Sequence, residues 1–210
     1  MEFTIRNRFT ETVIFEAKAE SFKLAIEAAV QSKVSLRSAD LRSANLRFAD
    51  LRSADLRSAD LRSADLRFAD LRSANLRFAD LSSANLRSVN LSSADLRSAD
   101  LSSADLSSAN LRSADLRSAD LPARTNLLQC LWGRVSESLC ADLMMFDAAA
   151  HSDPALFQAW VDGGLCPYDN EKFQRAANFE QSREAWGKGT GNITPTSLLV
   201  RLFAENNIKV

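Results

Sequence analysis

VSLRSADLRSANLRFADLRS, residues 34–53, opens a run in which leucine returns at every fifth position from Leu36 to Leu121. Alanine stands two residues before each leucine, replaced only by Val34 and Val89. Between the two stands Asp or Asn, apart from Ser35. After leucine come Arg or Ser and then Ser or Phe, until Pro122 and Ala123 close a run of eighteen units.

A period of five suits no straight element. An α-helix turns about 100° per residue, so successive leucines would be displaced by about 140° and form no stripe. In a straight strand an odd period sends successive leucines to opposite faces. Every leucine can be buried only if the chain turns a corner about once per unit, and Asp or Asn followed by Arg-Ser or Ser-Ser supplies turn chemistry at that frequency. The repeats contain no glycine, which predicts corners built from conformations open to ordinary residues. The unbroken leucine register sets the stretch apart from a disordered low-complexity tract.

The pattern A(D/N)Lxx resembles the signature of the pentapeptide-repeat family over residues 34–123. The resemblance implies a mainly β fold, a right-handed quadrilateral β-helix with four pentapeptides per coil. It also implies that leucine and the small residue two before it point inward and the other three positions outward. Residues twenty apart then share a face. On this reading Arg37, Arg57, Arg77, Arg97 and Arg117 form a basic ladder, and Asp40, Asp60, Asp80, Asp100 and Asp120 an acidic ladder on the adjoining face. Phe48 and Phe68 stack as an exposed apolar pair, with Phe78 on the opposite side.

Three functions compete for these faces. The basic ladder is suited to a polyanion or nucleic acid, because guanidinium pairs well with phosphate. The acidic edge of Asp80, Asp100 and Asp120 suits a DNA mimic of the kind proposed for pentapeptide-repeat proteins that inhibit DNA gyrase. The third reading is a scaffold whose ladders neutralise each other, each ladder arginine meeting the aspartate three residues later. Residues 34–123 hold thirteen arginines and twelve aspartates, whereas duplex DNA carries a negative charge about every 1.7 Å. That balance favours the non-enzymatic scaffold or protein-interaction reading over gyrase inhibition and over nucleic-acid binding.

The ends are read as caps, since an open β-helix exposes unpaired backbone that invites association. Residues 1–33 form the first: EFTIRNRF and TVIFEAKA alternate as a β-hairpin joined near Thr10 and Glu11, and Ser21 starts a helix burying Leu24, Ala25, Ala28 and Ala29. Residues 124–210 form an α-helical C-terminal module. Leu128, Leu131, Trp132, Val135, Leu139, Leu143 and Phe146 recur at helical spacing. Asp153-Pro154 starts a helix with Leu156, Phe157, Trp160 and Val161 inside, and residues 171–186 read as a third helix. Thr194-Pro195 opens a last one carrying Leu198, Leu199, Leu202 and Phe203. This module resembles C-terminal extensions of some bacterial and phage pentapeptide-repeat proteins, and it is the expected contact for a protein partner or for a second copy in a homodimer.

Composition narrows the class. The net charge is −1 with 25% charged residues, which gives no general attraction to nucleic acid. No run approaches the about 18 apolar residues of a membrane span, and the first residues lack the apolar stretch of a secretion signal, so a cytoplasmic location is the expectation. Cys130, Cys140 and Cys166 are read as free thiols, since with His151 they match no zinc spacing. No cofactor or small-molecule substrate is implied. The repeats contain no histidine, so their serines lack a base to activate them. His151-Ser152-Asp153 reads as a helix start, and no enzyme is expected.

Overall fold

A computed structural model describes residues 1–122, 128, 135–150, 153, 155–163, 183–191 and 193–210. Across the repeats, isolated parallel bridges join residues twenty apart, as in Asp40 to Asp60 to Asp80 to Asp100 to Asp120 and Asn45 to Asp65 to Asn85 to Asp105. Each coil of this repeat β-helix therefore contains four pentapeptides. The leucines from Leu36 to Leu116 are at most 1% exposed, and the alanines two residues before them are buried with them.

The family pattern follows from where the backbone hydrogens go. In the unit Asp60 to Ala64, Asp60 N–H donates to Ala39 O of the preceding coil, while Leu61 and Ser63 donate to Asp80 O and Ser82 O of the next. Ala64 N–H closes the corner on Leu61 O at 3.0 Å. The remaining donor, Arg62 N–H, meets Asp60 Oδ1 at 3.3 Å. Every donor has a partner, as buried backbone requires. Asp and Asn both supply that side-chain oxygen, as Asn75 does for Arg77 at 3.3 Å, which is why either residue serves before leucine.

The corners correct one expectation. The second residue after leucine has φ between 53° and 60° in every unit from Ser38 to Phe78 and on to Ser118. With the leucine-to-alanine hydrogen bond across it, this is a turn of type II sense, a place where glycine is usual. The ladder bond from that residue's N–H holds serine, and even phenylalanine, in the left-handed region. Ser93→Gly is therefore expected to stabilise the fold by about 0.5 kcal/mol, the relieved Cβ strain net of glycine's entropy. Ser93→Val is expected to destabilise it by about 2 kcal/mol. Urea midpoints measure both, and equal midpoints would contradict the left-handed corner.

Contacts divide the chain into Met1–Cys130 with Asn207–Val210, and Leu131–Asn206. In the first unit, β1 (Glu2–Arg6) pairs antiparallel with β2 (Val13–Lys18). Both ends of the β-helix receive backbone partners from outside the repeats. Asp40 N–H donates to Arg6 O, Arg8 N–H to Ser38 O, and Asp50 N–H to the Glu27 carboxylate at 2.8 Å. Glu27 lies on α1 (Phe22–Gln31), which Ser21 N-caps. Helix α1 buries Ala25, Ile26 and Ala29, while Leu24, expected inside, is 39% exposed. The helix presents its 25/26/29 stripe, which leaves position 24 on the flank. At the far end Leu116 N–H donates to Lys209 O at 2.7 Å and Lys209 N–H to Ala114 O at 3.1 Å.

The second unit holds α2 (Glu137–Ala150), α3 (Ala155–Val161), a 3-10 turn at Arg183–Ala185 and α4 (Pro195–Glu205). Leu139, Leu143 and Met144 of α2 and Leu198 and Leu202 of α4 are buried. Helix α3 buries Phe157 and Trp160. Leu156, expected inside, is 44% exposed, because the short helix buries only its 157/160 face. Asp142 is fully buried, accepting from Thr190 N–H, Gly191 N–H and the Arg201 guanidinium. The expected third helix lies largely outside the described residues, as do Leu131, Trp132, Cys130, Cys166 and His151. Cys140 is buried.

Candidate interaction faces

An aspartate and an arginine that flank an inward leucine both point outward on the same face, since side chains alternate along extended backbone. They meet as bidentate pairs. Arg57 Nε donates to Asp55 Oδ1 and Nη2 to Asp55 Oδ2, each at 2.8 Å. Arg42, Arg52, Arg62, Arg67, Arg72, Arg97 and Arg117 bind the aspartate two residues earlier in the same way. Neutralisation thus occurs, but with the aspartate two residues before each arginine and not the one three residues after it. Some arginines also reach the next coil, as Arg62 does to Asp80 at 3.5 Å and Arg97 to Asp115 at 3.7 Å.

This register makes the surface readable unit by unit. Asp-Leu-Arg is a closed pair, Asn-Leu-Arg leaves an arginine without its carboxylate, and Asp-Leu-Ser leaves an aspartate without its arginine. Of the basic ladder, Arg57, Arg97 and Arg117 are paired, whereas Arg37 follows Ser35 and Arg77 follows Asn75. The ladder presents two uncommitted guanidiniums and not five. Arg47, Arg87 and Arg112 also follow asparagine, and none of these five arginines has an ion pair among the described residues.

The acidic ladder divides the same way. Asp60 is 2% exposed, and Arg62, Arg8 and Arg42 surround it. Burial pushes its carboxyl upward, but the Arg62 bonds and the positive field of Arg8 leave it below the ordinary carboxylate value. Asp80 and Asp100 accept instead from Ser82 and Ser102, at 2.7 and 2.5 Å, and Asp120 is followed by Pro122. Within the repeats the five aspartates of this face stand against Arg42 and Arg62, and Arg8 from outside them adds a third positive charge at Asp60.

The closed pairs give the rod an acid limit. Hydrogen bonds from Arg57, against the opposing effect of burial, hold Asp55 at about 2, with Ser35 adding to the effect. Arg117 holds Asp115 at about 2 in the same manner. Both values lie below the unfolded value near 3.8, so the stabilisation is complete above that value and fades as pH falls towards 2. The melting temperature should accordingly hold from neutral pH to about 4.5 and fall between about 4 and 2. Circular dichroism melts test this, and a carboxyl of Asp55 or Asp115 titrating near 3.8 by carbon NMR would contradict it.

Phe48 and Phe68 stack with ring centroids 5.0 Å apart and planes 7° from parallel, exposed to 60% and 48%. Phe78, 55% exposed, stands on another face, which the twenty-residue period carries to Ser58 and Ser98. All three occupy the left-handed corner position, where a bulky residue is unusual. The guanidiniums of Arg47 and Arg77 lie over Phe48 and Phe78 at 5.4 and 5.3 Å. The buried Nε of each has no hydrogen-bond partner. The signal for this difference lies in Asn45 and Asn75, one letter from aspartate.

Among the described residues no group of His, Cys, Asp and Glu is arranged to hold a metal. No helix among them is long and apolar enough to cross a membrane. A family model described as pentapeptide repeats matches the chain in eight copies over residues 32–57, 49–87 and 84–121. The pentapeptide repeat protein alr5209 from Nostoc Pcc 7120 is 36% identical, with 53% of this chain and 96% of that one covered and a TM-score of 0.32. Rfr23 from the cyanobacterium Cyanothece 51142 is 33% identical over 46% of this chain and 66% of that one, with a TM-score of 0.29. QnrB1, described as a plasmid-mediated fluoroquinolone resistance protein, is 22% identical over 42% of this chain and 58% of that one, with a TM-score of 0.26. The chain spans less than two thirds of the length of the last two. No curated protein matches it.

Proposed function

The chain belongs to the pentapeptide-repeat family, and from that premise we propose that it is a non-enzymatic scaffold that holds protein-interaction surfaces on a rigid, right-handed β-helix. The observation that carries the reading is the uneven surface. Eight arginines are locked to aspartates, while the exposed Phe48 and Phe78 stand at left-handed corners beside arginines that asparagine leaves uncommitted. A merely solvating surface would have no use for a bulky, exposed phenylalanine at a left-handed corner that serine fills in the other units. Residues 1–33 and the C-terminal tail act as caps, and the helical module of residues 124–210 provides a second contact for a protein partner or for homodimerisation.

Gyrase-type DNA mimicry is the competing reading. It draws on Asp80, Asp100 and Asp120, but Asp60 is buried among three arginines and Asp80 is reached by Arg62, which interrupts the regular row of negative charge that a mimic needs. Nucleic-acid binding along the basic ladder is weakened by the pairing of Arg57, Arg97 and Arg117.

The test is a photo-crosslinking residue placed singly at Ser88, at Ser98 and at Leu156 of the full chain in its native cells. Discrete protein adducts from at least one site, with no gyrase inhibition in a supercoiling assay, are the expected result. Inhibition at low micromolar protein, or adducts to nucleic acid alone, would overturn the scaffold reading.

A further inference from the structure

The face carrying Phe48 and Phe68 has an order that the other three lack. Its outer column runs Asn45-Leu46-Arg47-Phe48, then Asp65-Leu66-Arg67-Phe68, then Asn85-Leu86-Arg87-Ser88. Adjacent rungs are joined by Phe48 N–H to Arg67 O at 3.0 Å and Phe68 N–H to Arg87 O at 3.1 Å. The middle arginine is closed by Asp65, with Nη2 to Oδ2 at 2.5 Å. The two outer arginines are not, because asparagine stands where their carboxylate would be. The result is a neutral, aromatic centre with one uncommitted cation on either side. Below Phe48 the face continues into a groove of about 420 Å³, lined by Ser21, Phe22, Lys23, Asn45, Arg47 and Phe48, with cationic but no acidic side chains.

We infer that this face binds an extended acidic peptide segment of a partner protein, laid along the rod axis. An apolar or aromatic side chain of the segment rests on the Phe48–Phe68 pair, and carboxylates on either side of it meet Arg47 and Arg87. The spacing selects the ligand. Two coils separate the two arginines, about 10 Å at the usual strand spacing. A peptide in the extended polyproline II conformation returns to the same face every third residue, after about 9 Å, so acidic residues at positions i and i+3 with apolar residues between them match the pattern. A nucleic-acid strand matches less well. Its charge repeats at every nucleotide, and the closed Asp65–Arg67 pair meets the middle of the run with no net charge. The parallel phenylalanines at 5.0 Å also leave no slot between them for a base.

This inference rests on the scaffold reading and names the partner of one of its faces. Its test is fluorescence anisotropy with the full chain and a labelled peptide Gly-Glu-Leu-Phe-Glu-Gly. The controls are the same peptide with Gln for both Glu, and labelled dodecathymidylate. Saturable binding of the acidic peptide with half-saturation below about 1 mM is expected, since a short flexible segment binds weakly. Arg47→Gln, Arg87→Gln and Phe68→Ser should each weaken it at least about tenfold, the loss of one charged or apolar anchor. Raised salt should weaken it too. These variants leave the core untouched, and serine already holds the corner position in the neighbouring unit at Ser73; unchanged melting curves check that the fold is retained. No saturable binding, equal binding of the Gln peptide, or binding indifferent to the three substitutions would overturn the inference. Dodecathymidylate binding lost in the same variants would overturn it in favour of a nucleic-acid face. Crosslinks to protein from Ser98 or Leu156 but none from Ser88 would leave the scaffold reading standing and remove this one.

Discussion

Leu76→Ala is expected to lower the stability of the β-helix by about 3–4 kcal/mol, near the middle of the range for a fully buried leucine. Leu76 is completely buried and sits in the column of Leu56 and Leu96, one coil to either side. Its own N–H donates to Asp95 O at 2.7 Å, so the backbone is fixed from outside and cannot collapse inward to fill the space. A solenoid is held together by nearest-neighbour interfaces. A cavity in the central coil weakens the interfaces above and below it together, and unfolding should become broader as the two halves uncouple. The opposite change tests the same wall. Ala64→Leu would crowd an interior position that is fully buried, at a cost of about 1–3 kcal/mol. Chemical denaturation measures both, and an unchanged midpoint for either variant would contradict the inward register.

Deletion of Asn207–Val210 is expected to turn the protein into a concentration-dependent, end-to-end associating species. Those four residues belong to the β-helical unit although the preceding segment does not. Lys209 bridges Asp115 in parallel, occupying Leu116 N–H and Ala114 O, and Ile208 is 7% exposed. Without the tail this part of the last coil presents open strand edge, the feature that templates association between chains. Sedimentation velocity should show a monomer for the full chain at low concentration and a growing series for the deletion. A deletion variant that stays monomeric with an unchanged melting temperature would show that the tail is dispensable.

The turning chain and its buried leucines were legible because leucine at every fifth position admits no straight element, while the inward alanines, now seen buried beside Leu36 to Leu116, came from the resemblance to pentapeptide-repeat proteins. The left-handed corners were not. Without glycine nothing in the letters marks a positive φ, which is imposed by the ladder bond of the following coil. The ion-pair register could have been read, since the residues on either side of an inward leucine must share the outer face; pairing Arg57 with Asp60 in place of Asp55 overlooked that alternation. The return of Lys209 to Asp115 lies beyond sequence reasoning, for it joins residues far apart in the chain through backbone groups that carry no side-chain signature. Leu24 and Leu156 show the limit of helical periodicity in short helices, where the partner surface and not the count of apolar residues decides which stripe is covered.

The free arginines, the phenylalanine stack and the interrupted acidic row all depend on residues twenty apart being neighbours. Disulfide trapping tests this directly, in a chain whose own three cysteines are replaced by alanine. In Ser63→Cys/Ser83→Cys the two Cα atoms should lie about 4.8 Å apart, within the span that a disulfide bridges. Ser63 N–H already donates to Ser82 O at 3.2 Å. Rapid, near-complete oxidation of that pair, with none in Ser63→Cys/Ser88→Cys, is the predicted result. Oxidation of the second pair in preference to the first would contradict the four-unit coil and every face derived from it.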